Sequence, residues 1–526
     1  MKISSENPLA SLNQTASVLL AAAVCDLFPG VLLVRGQGGE TCFYYDFIFP
    51  FEFQENFTSL IEERMRLIIR EKRTLSSMEM MPSNAASLMQ HRGQGIVAER
   101  LDSLQSALAQ MCKMGEFVDF CPFPFQKDLH IPFLKIFEAF PLGIARKKII
   151  RIVGAAAMEK DLLKSLAKKT SHSSLSHLNL AREMGLLEPM AEEGLWFWRP
   201  RGEVLREQLL AWWRQEHKKQ NFSLISSPTP WIGEGGEESV RKSHREYFLK
   251  CASPKVAEAT WLLSAEEKDP TLGLFSTAAY FADRAHLFCS EEKVLQECIS
   301  SLHFILKIPK ILGFEFQIVL SVSSLGAQKA RSRGMSLFQQ ALEKVGIDYT
   351  IEKDYRVGTL ASIDVRFADS LGRRWTGPFL SVPEAEMPMG KGCMLIRSTF
   401  GSLERLTALL LEKTGGWLPL WLAPEQVRVL VANSNVEAYA NEVLEALRTQ
   451  GVRATLESSE EKLKTQLYRA ILEKIPYVIL LGERETKTRS LTVRSNGETE
   501  EQSFTLEEFC KRLKAEMGSG HSEFTN

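Results

Sequence analysis

The sequence predicts an α+β protein that ends in an α/β unit, and three observations carry that reading. Short apolar runs alternate with amphipathic helical stripes from Arg428 to Leu481. The less regular middle of the chain mixes helical stripes with a segment that alternates enough to be a hairpin, and the N-terminal part sets a helix beside a strand-rich segment. At 526 residues and 59.4 kDa the chain exceeds one small core and suits three or four domains. Its 64 Lys and Arg against 65 Asp and Glu give a net charge of −1, which excludes a histone-like or polybasic protein but leaves room for a local basic groove. With 44% apolar and 25% charged residues it has the balance of a folded soluble protein.

In order along the chain, Asn13 to Leu27 reads as a helix, Val31 to Phe49 as strands and Leu60 to Lys72 as a charged amphipathic helix. No basic stretch followed by an apolar one opens the sequence, so no signal peptide is expected. The apolar stretch Ala16 to Cys25 is too short to span a bilayer, so no membrane association is expected. Nine dispersed cysteines without a C-x-x-C pair suit a reducing cytoplasm and read as buried small hydrophobes.

Lys168 to Ser176 reads as a polar linker, and Leu205 to Lys218 as a helix carrying Trp212 and Trp213, one for the core and one for an interface. Ser227 to Pro230 breaks the chain. Gly233 to Glu238 reads as a flexible loop, because it lacks the Lys-Ser/Thr of a P-loop and its acids would repel phosphate. Glu291 to Leu306 and Gly334 to Val345 read as helices, and Asp354 to Arg374 as a hairpin turning at Asp369 to Gly372.

Arg428 to Asn433, Val452 to Glu457 and Tyr477 to Leu481 read as parallel strands joined by the helices Asn435 to Gln450, stopped by Gly451, and Glu460 to Lys474, a βαβαβ unit. A last helix starts at Thr505, with Glu508 completing a capping box and Phe504 and Phe509 placed as a staple. Gly518 to Asn526 reads as loose. The expected units are 1–165, 166–411 and 412–526.

Several stretches together resemble one family. Gly401-Ser402-Leu403-Glu404-Arg405, running into Trp421-Leu422-Ala423-Pro424 with Gln426-Val427, looks like motif 3 of threonyl-tRNA synthetases and the start of their anticodon-binding domain. Glu461-Lys462-Leu463 and Ile475-Pro476-Tyr477 resemble segments of that domain. Gly194 to Gly202, with Arg206-Glu207 and Pro228, is similar to motif 1 and the stretch before it, and Ala285 to Cys289 to a strand of the catalytic core. Leu19 to Pro29, Phe43 to Phe47 and Phe117 to Cys121 resemble the domain that edits mischarged tRNA. The resemblance covers nearly the whole chain, strongly from residue 395 and thinly between 230 and 280. It implies a class II synthetase-like antiparallel core between an editing-like α+β domain and an anticodon-binding-like α/β domain. It also implies that the family's first, ubiquitin-like domain has no counterpart here.

The resemblance further implies a chemistry that can be checked residue by residue. Motif 3's nucleotide-facing arginine falls at Arg405; the alternative is a helix arginine paired with Glu404 or Glu412. Motif 2 should supply a second arginine, yet none lies between Arg245 and Arg284. Lys268 is the cation there, a point charge without the planar fork that grips a phosphate and a carboxylate together.

The family's zinc site of one cysteine and two histidines keeps only His286. Ile396 stands at the second histidine, Cys289 points to the other face of the strand, and Arg284 replaces the acid that holds the substrate hydroxyl. His286 therefore reads as a remnant or a core histidine, with zinc lost. In the editing-like part Gln14 and Val18 stand at the first two histidines. Cys121 survives, but Phe125 replaces its partner, so no base is left to activate water.

Glu461, Lys462, Arg484, Lys487, Arg489 and Arg494 are the candidate tRNA contacts, and the alternative for the last four is a solvated loop.

Two readings follow. One is a catalytically impaired synthetase-like protein that binds tRNA or regulates translation, as a homodimer through the class II interface or a heterodimer with an intact synthetase. The other is a divergent, active threonine–tRNA ligase. In it Arg405, Gly401, Glu404 and Lys268, with Glu266 or Glu267, would serve ATP and Mg²⁺.

Overall fold

A computed structural model describes residues 8–104, 106–142, 148–170, 176–190, 194–227, 237–264, 270–323, 328–354, 358–384, 392–457, 461–498 and 500–522. The segments expected as the loop Gly233 to Glu238 and the linker Lys168 to Ser176 lie largely outside these residues, as do Glu266, Glu267 and Lys268.

The first core is built around α1 (Pro8–Leu27), whose residues from Leu12 to Val24 are all buried. A helix that is apolar around its whole circumference must be enclosed. It packs on the antiparallel sheet β1-β2-β7-β6, from β1 (Leu32–Gly38), β2 (Phe43–Ile48), β6 (Phe133–Pro141) and β7 (Ile150–Ala157). Between β2 and β6 come α2 (Phe57–Arg70), β3 (Leu75–Met80), α3 (Pro82–His91), α4 (Gly95–Asp102), β4 (Ala109–Met114) and β5 (Phe117–Phe120). The expected ten-residue apolar stretch is thus part of a helix of 20 residues, long and apolar enough to cross a membrane, yet buried in the protein's own core.

The second core follows α5 (Lys160–Thr170) and α6 (His177–Glu183). The pair β8 (Leu187–Pro189) and β9 (Trp196–Trp198) leads into α7 (Pro200–Lys219), then β10 (Ser223–Leu224), α8 (Glu237–Cys251), β11 (Lys255–Leu263) and β12 (Ala279–Cys289). α9 (Val294–Ile305), α10 (Lys307–Ile311), β13 (Phe316–Ser323), α11 (Gln328–Val345), β14 (Thr350–Asp354), β15 (Thr359–Ala368), β16 (Arg374–Pro383), β17 (Cys393–Ser398) and α12 (Leu403–Thr414) complete it. The eight-stranded sheet runs β10-β11-β12-β17-β16-β15-β13-β14, antiparallel except for its two outermost pairs. The expected hairpin is β15–β16, turning at Asp369–Gly372.

Trp212 and Trp213 are both buried, which corrects the expectation that one faces an interface. Trp212 lies against Phe400, and the Trp213 indole N–H donates to Asp283 at 2.9 Å. α7 buries one broad face, with Leu205, Leu209 and Glu216, and leaves Glu207, Ala211, Arg214 and Lys218 exposed, so two adjacent residues both fit on the buried side.

The third core is the expected α/β unit. β18 (Val427–Val431) lies between β19 (Ala454–Glu457) and β20 (Tyr477–Leu481), all parallel, with α13 (Glu437–Thr449) and α14 (Leu463–Leu472) as crossovers. Gly451 adopts φ +78 where the chain turns back, a conformation that glycine takes without strain. Arg484 to Arg494, read as a loop, forms α15 (Glu483–Thr488) and most of β21 (Ser490–Ser495), which pairs with β20 and with β22 (Gln502–Thr505). The capping box holds: the Thr505 N–H donates to the Glu508 carboxylate at 2.9 Å, and Phe504 packs on Phe509. α16 (Leu506–Ser522) runs well past Gly518, so the expected loose tail is helical up to Ser522.

The positions 165 and 411, expected as unit boundaries, fall inside α5 and α12. The first two cores meet through a buried ionic joint. Tyr44 lies beneath two guanidiniums, Arg151 at 4.1 Å and Arg373 at 5.3 Å from its ring, and each is neutralised by its own aspartate, Asp46 and Asp369. Arg151 also donates to the Thr271 carbonyl at 3.0 Å.

Candidate functional site

The turn from β17 into α12 carries Gly401, Ser402, Glu404 and Arg405. Ser402 is the N-cap, and its hydroxyl accepts from the Arg405 N–H at 3.2 Å. Gly401 has φ +72, and a Cβ there would sit 2.7 Å from the Gly377 carbonyl oxygen, so its glycine is required by packing.

Arg405 spends two of its nitrogens on the carbonyls of Thr376 (3.3 Å) and Phe275 (3.2 Å), and its guanidinium lies 5.3 Å from the Trp375 ring. That ring stacks on Phe275 at 4.6 Å, with 9° between the planes. The alternative pairing is corrected on both counts. Glu412 instead holds His177 at 2.6 Å and the Ser370 N–H at 2.9 Å. Glu404 is buried and accepts from the Trp198 indole (3.0 Å), the Phe281 N–H (2.9 Å) and the Ser402 hydroxyl (3.2 Å). Burial pushes its carboxyl up to about 7 despite those donors. It ties the turn together and is not placed as a solvent-facing Mg²⁺ ligand.

Sequence reasoning missed the organiser of this turn. Asp283, fully buried on β12, accepts from Trp213, the Ser398 hydroxyl and the N–H groups of Thr399 and Phe400, all at 2.8–3.0 Å. Its only sequence signal is an acid on the core-facing side of an apolar strand.

On the opposite face of β12, His286 is buried and its Nδ1 lies 2.7 Å from Nδ1 of His244 on α8. His244 in turn lies 3.3 Å from Glu258, which accepts from the Ser227 N–H and hydroxyl at 2.7 Å. Burial favours neutral His286, and the nearby His244, Arg284 and Arg241 charges push its pKa further down. Burial alone would raise Glu258, but His244 and Ser227 outweigh it and hold the carboxyl low. His244 went unremarked in the sequence, although Val240, His244, Tyr247 and Phe248 form one helical stripe.

The register places Ile396 directly across from His286, and Arg284 across from Glu258. Arg284 is buried, and it donates to the Asp283 carbonyl and the Ser398 hydroxyl. His286 Nε2 makes no hydrogen bond among the described residues. One such nitrogen is one ligand where catalytic zinc takes three. Among the described residues no group of three or more His, Cys, Asp or Glu is arranged for a metal, so the residues around His286 do not fit zinc.

In the first core, Gln14 and Cys121 do meet: the Gln14 amide donates to Cys121 Sγ at 3.3 Å and accepts from the Gly38 N–H at 2.7 Å. Both are buried, and Val18 is buried beside them. Asp119, also missed, accepts from the Tyr45 hydroxyl at 2.6 Å, and burial raises its carboxyl to about 6. Gln14, Cys121 and Asp119 are therefore satisfied by hydrogen bonds within the core.

Of the candidate RNA contacts, Glu461 holds Arg469, and Lys462 is the N-cap residue of α14. Arg489 pairs with Glu442 at 2.7 Å and Arg494 with Glu501 at 3.0 Å. The exposed side chains of Arg484 and Lys487 have no polar partner among the described residues. The four cations thus divide into two compensated and two open.

An antiparallel sheet flanked by helices, with the turn into α12 buried at its centre and an α/β unit following, is the fold of a class II synthetase core joined to an anticodon-binding type of domain. Residues 426–516 match the family model described as the anticodon binding domain. The threonine–tRNA ligase of Clostridium tetani is 27% identical over 96% of this chain and 88% of its own length. That of Acetivibrio thermocellus is 29% identical over 95% and 87%. Among solved structures, the RNA binding domain of threonyl-tRNA synthetase from Cryptosporidium parvum matches with a TM-score of 0.58 at 22% identity, over 65% of this chain and 98% of that one. A putative threonyl-tRNA synthetase from Aeropyrum pernix matches at 0.56 and 15%, over 66% and 97%. The chain is threonyl-tRNA synthetase-like over nearly its whole length and carries an anticodon-binding domain.

Proposed function

We propose that this protein is a synthetase-like member of the family that no longer activates threonine or edits tRNA, and that it acts through binding tRNA or a translation partner. The observation that carries this reading is the face of β12. There His286 bonds to His244, Ile396 stands across the strand, and Arg284 lies two residues away. A guanidinium there repels both a divalent metal and a substrate ammonium. The Gln14–Cys121 bond gives the same reading for the editing-like cleft.

The units 1–165, 166–411 and 412–526 would serve as editing-like, core-like and anticodon-binding-like parts. A dimer through the class II interface, or a heterodimer with an intact synthetase, in the cytoplasm, completes the reading. ATP–pyrophosphate exchange with threonine tests it: only background exchange is expected. Exchange well above background, abolished by Arg405→Ala, overturns it.

The divergent-ligase reading draws on the similarity to threonine–tRNA ligases over 95–96% of the chain and on Arg405 being fixed beside Trp375. It requires ATP binding measurable by calorimetry at millimolar concentration.

A further inference from the structure

We propose that a chain of alternating charges makes helix α14 and the core helix α7 one energetic unit, with Arg469 as its movable link. Arg469, on α14, holds Glu461 with one nitrogen and Glu457 with another at 2.5 Å. The second oxygen of Glu457 lies 3.6 Å from Arg428. Arg428 gives Nη2 to Glu473 Oε2 at 2.6 Å, and Arg201 on α7 meets that same oxygen at 2.6 Å. Two guanidiniums therefore share one carboxylate oxygen, and Glu425 neutralises both from the other side, at 2.6 Å from Arg428 and 3.7 Å from Arg201.

Exposure is highest at the outer end, 40% for the Arg469 side chain and 47% for Glu461, lowest at Arg428 in the middle, 9%, and intermediate at Glu473 and Arg201, 23% and 26%. The outer link is wet and exchangeable, while the inner ones are held where charges interact strongly. Arg469 has two arrangements open to it, its own carboxylates or an external phosphate. If it leaves, Glu457 draws on Arg428, Arg428 loosens from Glu473, and Glu473 depends on Arg201 alone. Engagement of α14 thereby changes the grip on the first turn of α7. That helix carries Trp213, which bonds Asp283 beneath the turn into α12.

The relay is a property of the protein alone and does not rest on RNA being its ligand. The test is a double-mutant cycle on the full chain, reading the midpoint of thermal unfolding for Arg469→Gln, Arg201→Gln and both together. The two residues share no direct contact, yet the double variant should lose at least about 3 °C more than the sum of the singles, because Glu473 then loses both supports. The pair Arg469→Gln and Arg374→Gln, the latter outside the network, should be additive. If Arg201→Gln does not fold, Arg201→Lys, which keeps the charge without the fork, completes the cycle with the same expected sign. Additivity of Arg469 with Arg201 overturns the proposal and leaves the proposed function standing.

Discussion

Replacing Asp283 by asparagine tests whether one buried carboxylate organises the turn into α12. Both of its oxygens are saturated by donors: Oδ1 accepts from Ser398, Thr399 and Phe400, and Oδ2 from Trp213 and Thr399. Either orientation of an asparagine side chain points an N–H at another N–H. The less costly one gives up the Trp213 bond. Losing a hydrogen bond to a charged acceptor costs about 1.5–3 kcal/mol, and a stranded buried donor about 1–3 kcal/mol. Together the loss is about 2.5–6 kcal/mol. At about 2–4 °C per kcal/mol for a unit of this size, the unfolding midpoint of the core should fall by about 10 °C. Calorimetry, with tryptophan fluorescence as a second probe, reads it. In a Trp213→Phe background, where the donor is already gone, Asp283→Asn should cost distinctly less. A drop of under about 2 °C in the otherwise wild-type chain would refute the assignment of Asp283 as the organiser.

Three further outcomes are expected. Glu404 titrates near 7 in the folded chain against an ordinary value of 4.5, so between those pH values the folded state holds a proton that the unfolded state has released. The associated stability, about 3 kcal/mol, is fully present below about pH 4.5 and lost as pH rises through about 7; Glu404→Met should flatten the fall in midpoint between pH 5 and 8. Gly401→Ala sets a Cβ against the Gly377 carbonyl oxygen at a positive φ and should cost more than about 1 kcal/mol by urea denaturation. If tRNA binds the C-terminal unit, Arg484→Ala and Lys487→Ala should each lower the slope of log affinity against log salt by about one, and Arg489→Ala by less, because Glu442 already compensates it.

Much of this structure is legible in local sequence. The capping box of Thr505 and Glu508 and the turn of the β15–β16 hairpin are set by residues within a few positions of one another. The resemblance also implies two pairs far apart in the chain, and Gln14 bonds Cys121 while Ile396 lies across from His286. The strand β21 was hidden because SLTVRS follows a charged run that reads as loop and is stabilised only by pairing with β20 and β22.

The sequence by itself determined the βαβαβ order of the C-terminal unit and the resemblance to threonyl-tRNA synthetases, because both depend on residue identity and short-range spacing. Tertiary structure decided what the remaining polar groups do. Glu404, Asp283 and Arg405 could each face a ligand or the protein interior, and only the arrival of Trp198, Trp213 and the Phe275 carbonyl from elsewhere in the chain turned them inward. A polar side chain deprived of water takes whatever partner the fold brings within 3 Å or so, and that partner has no local signature.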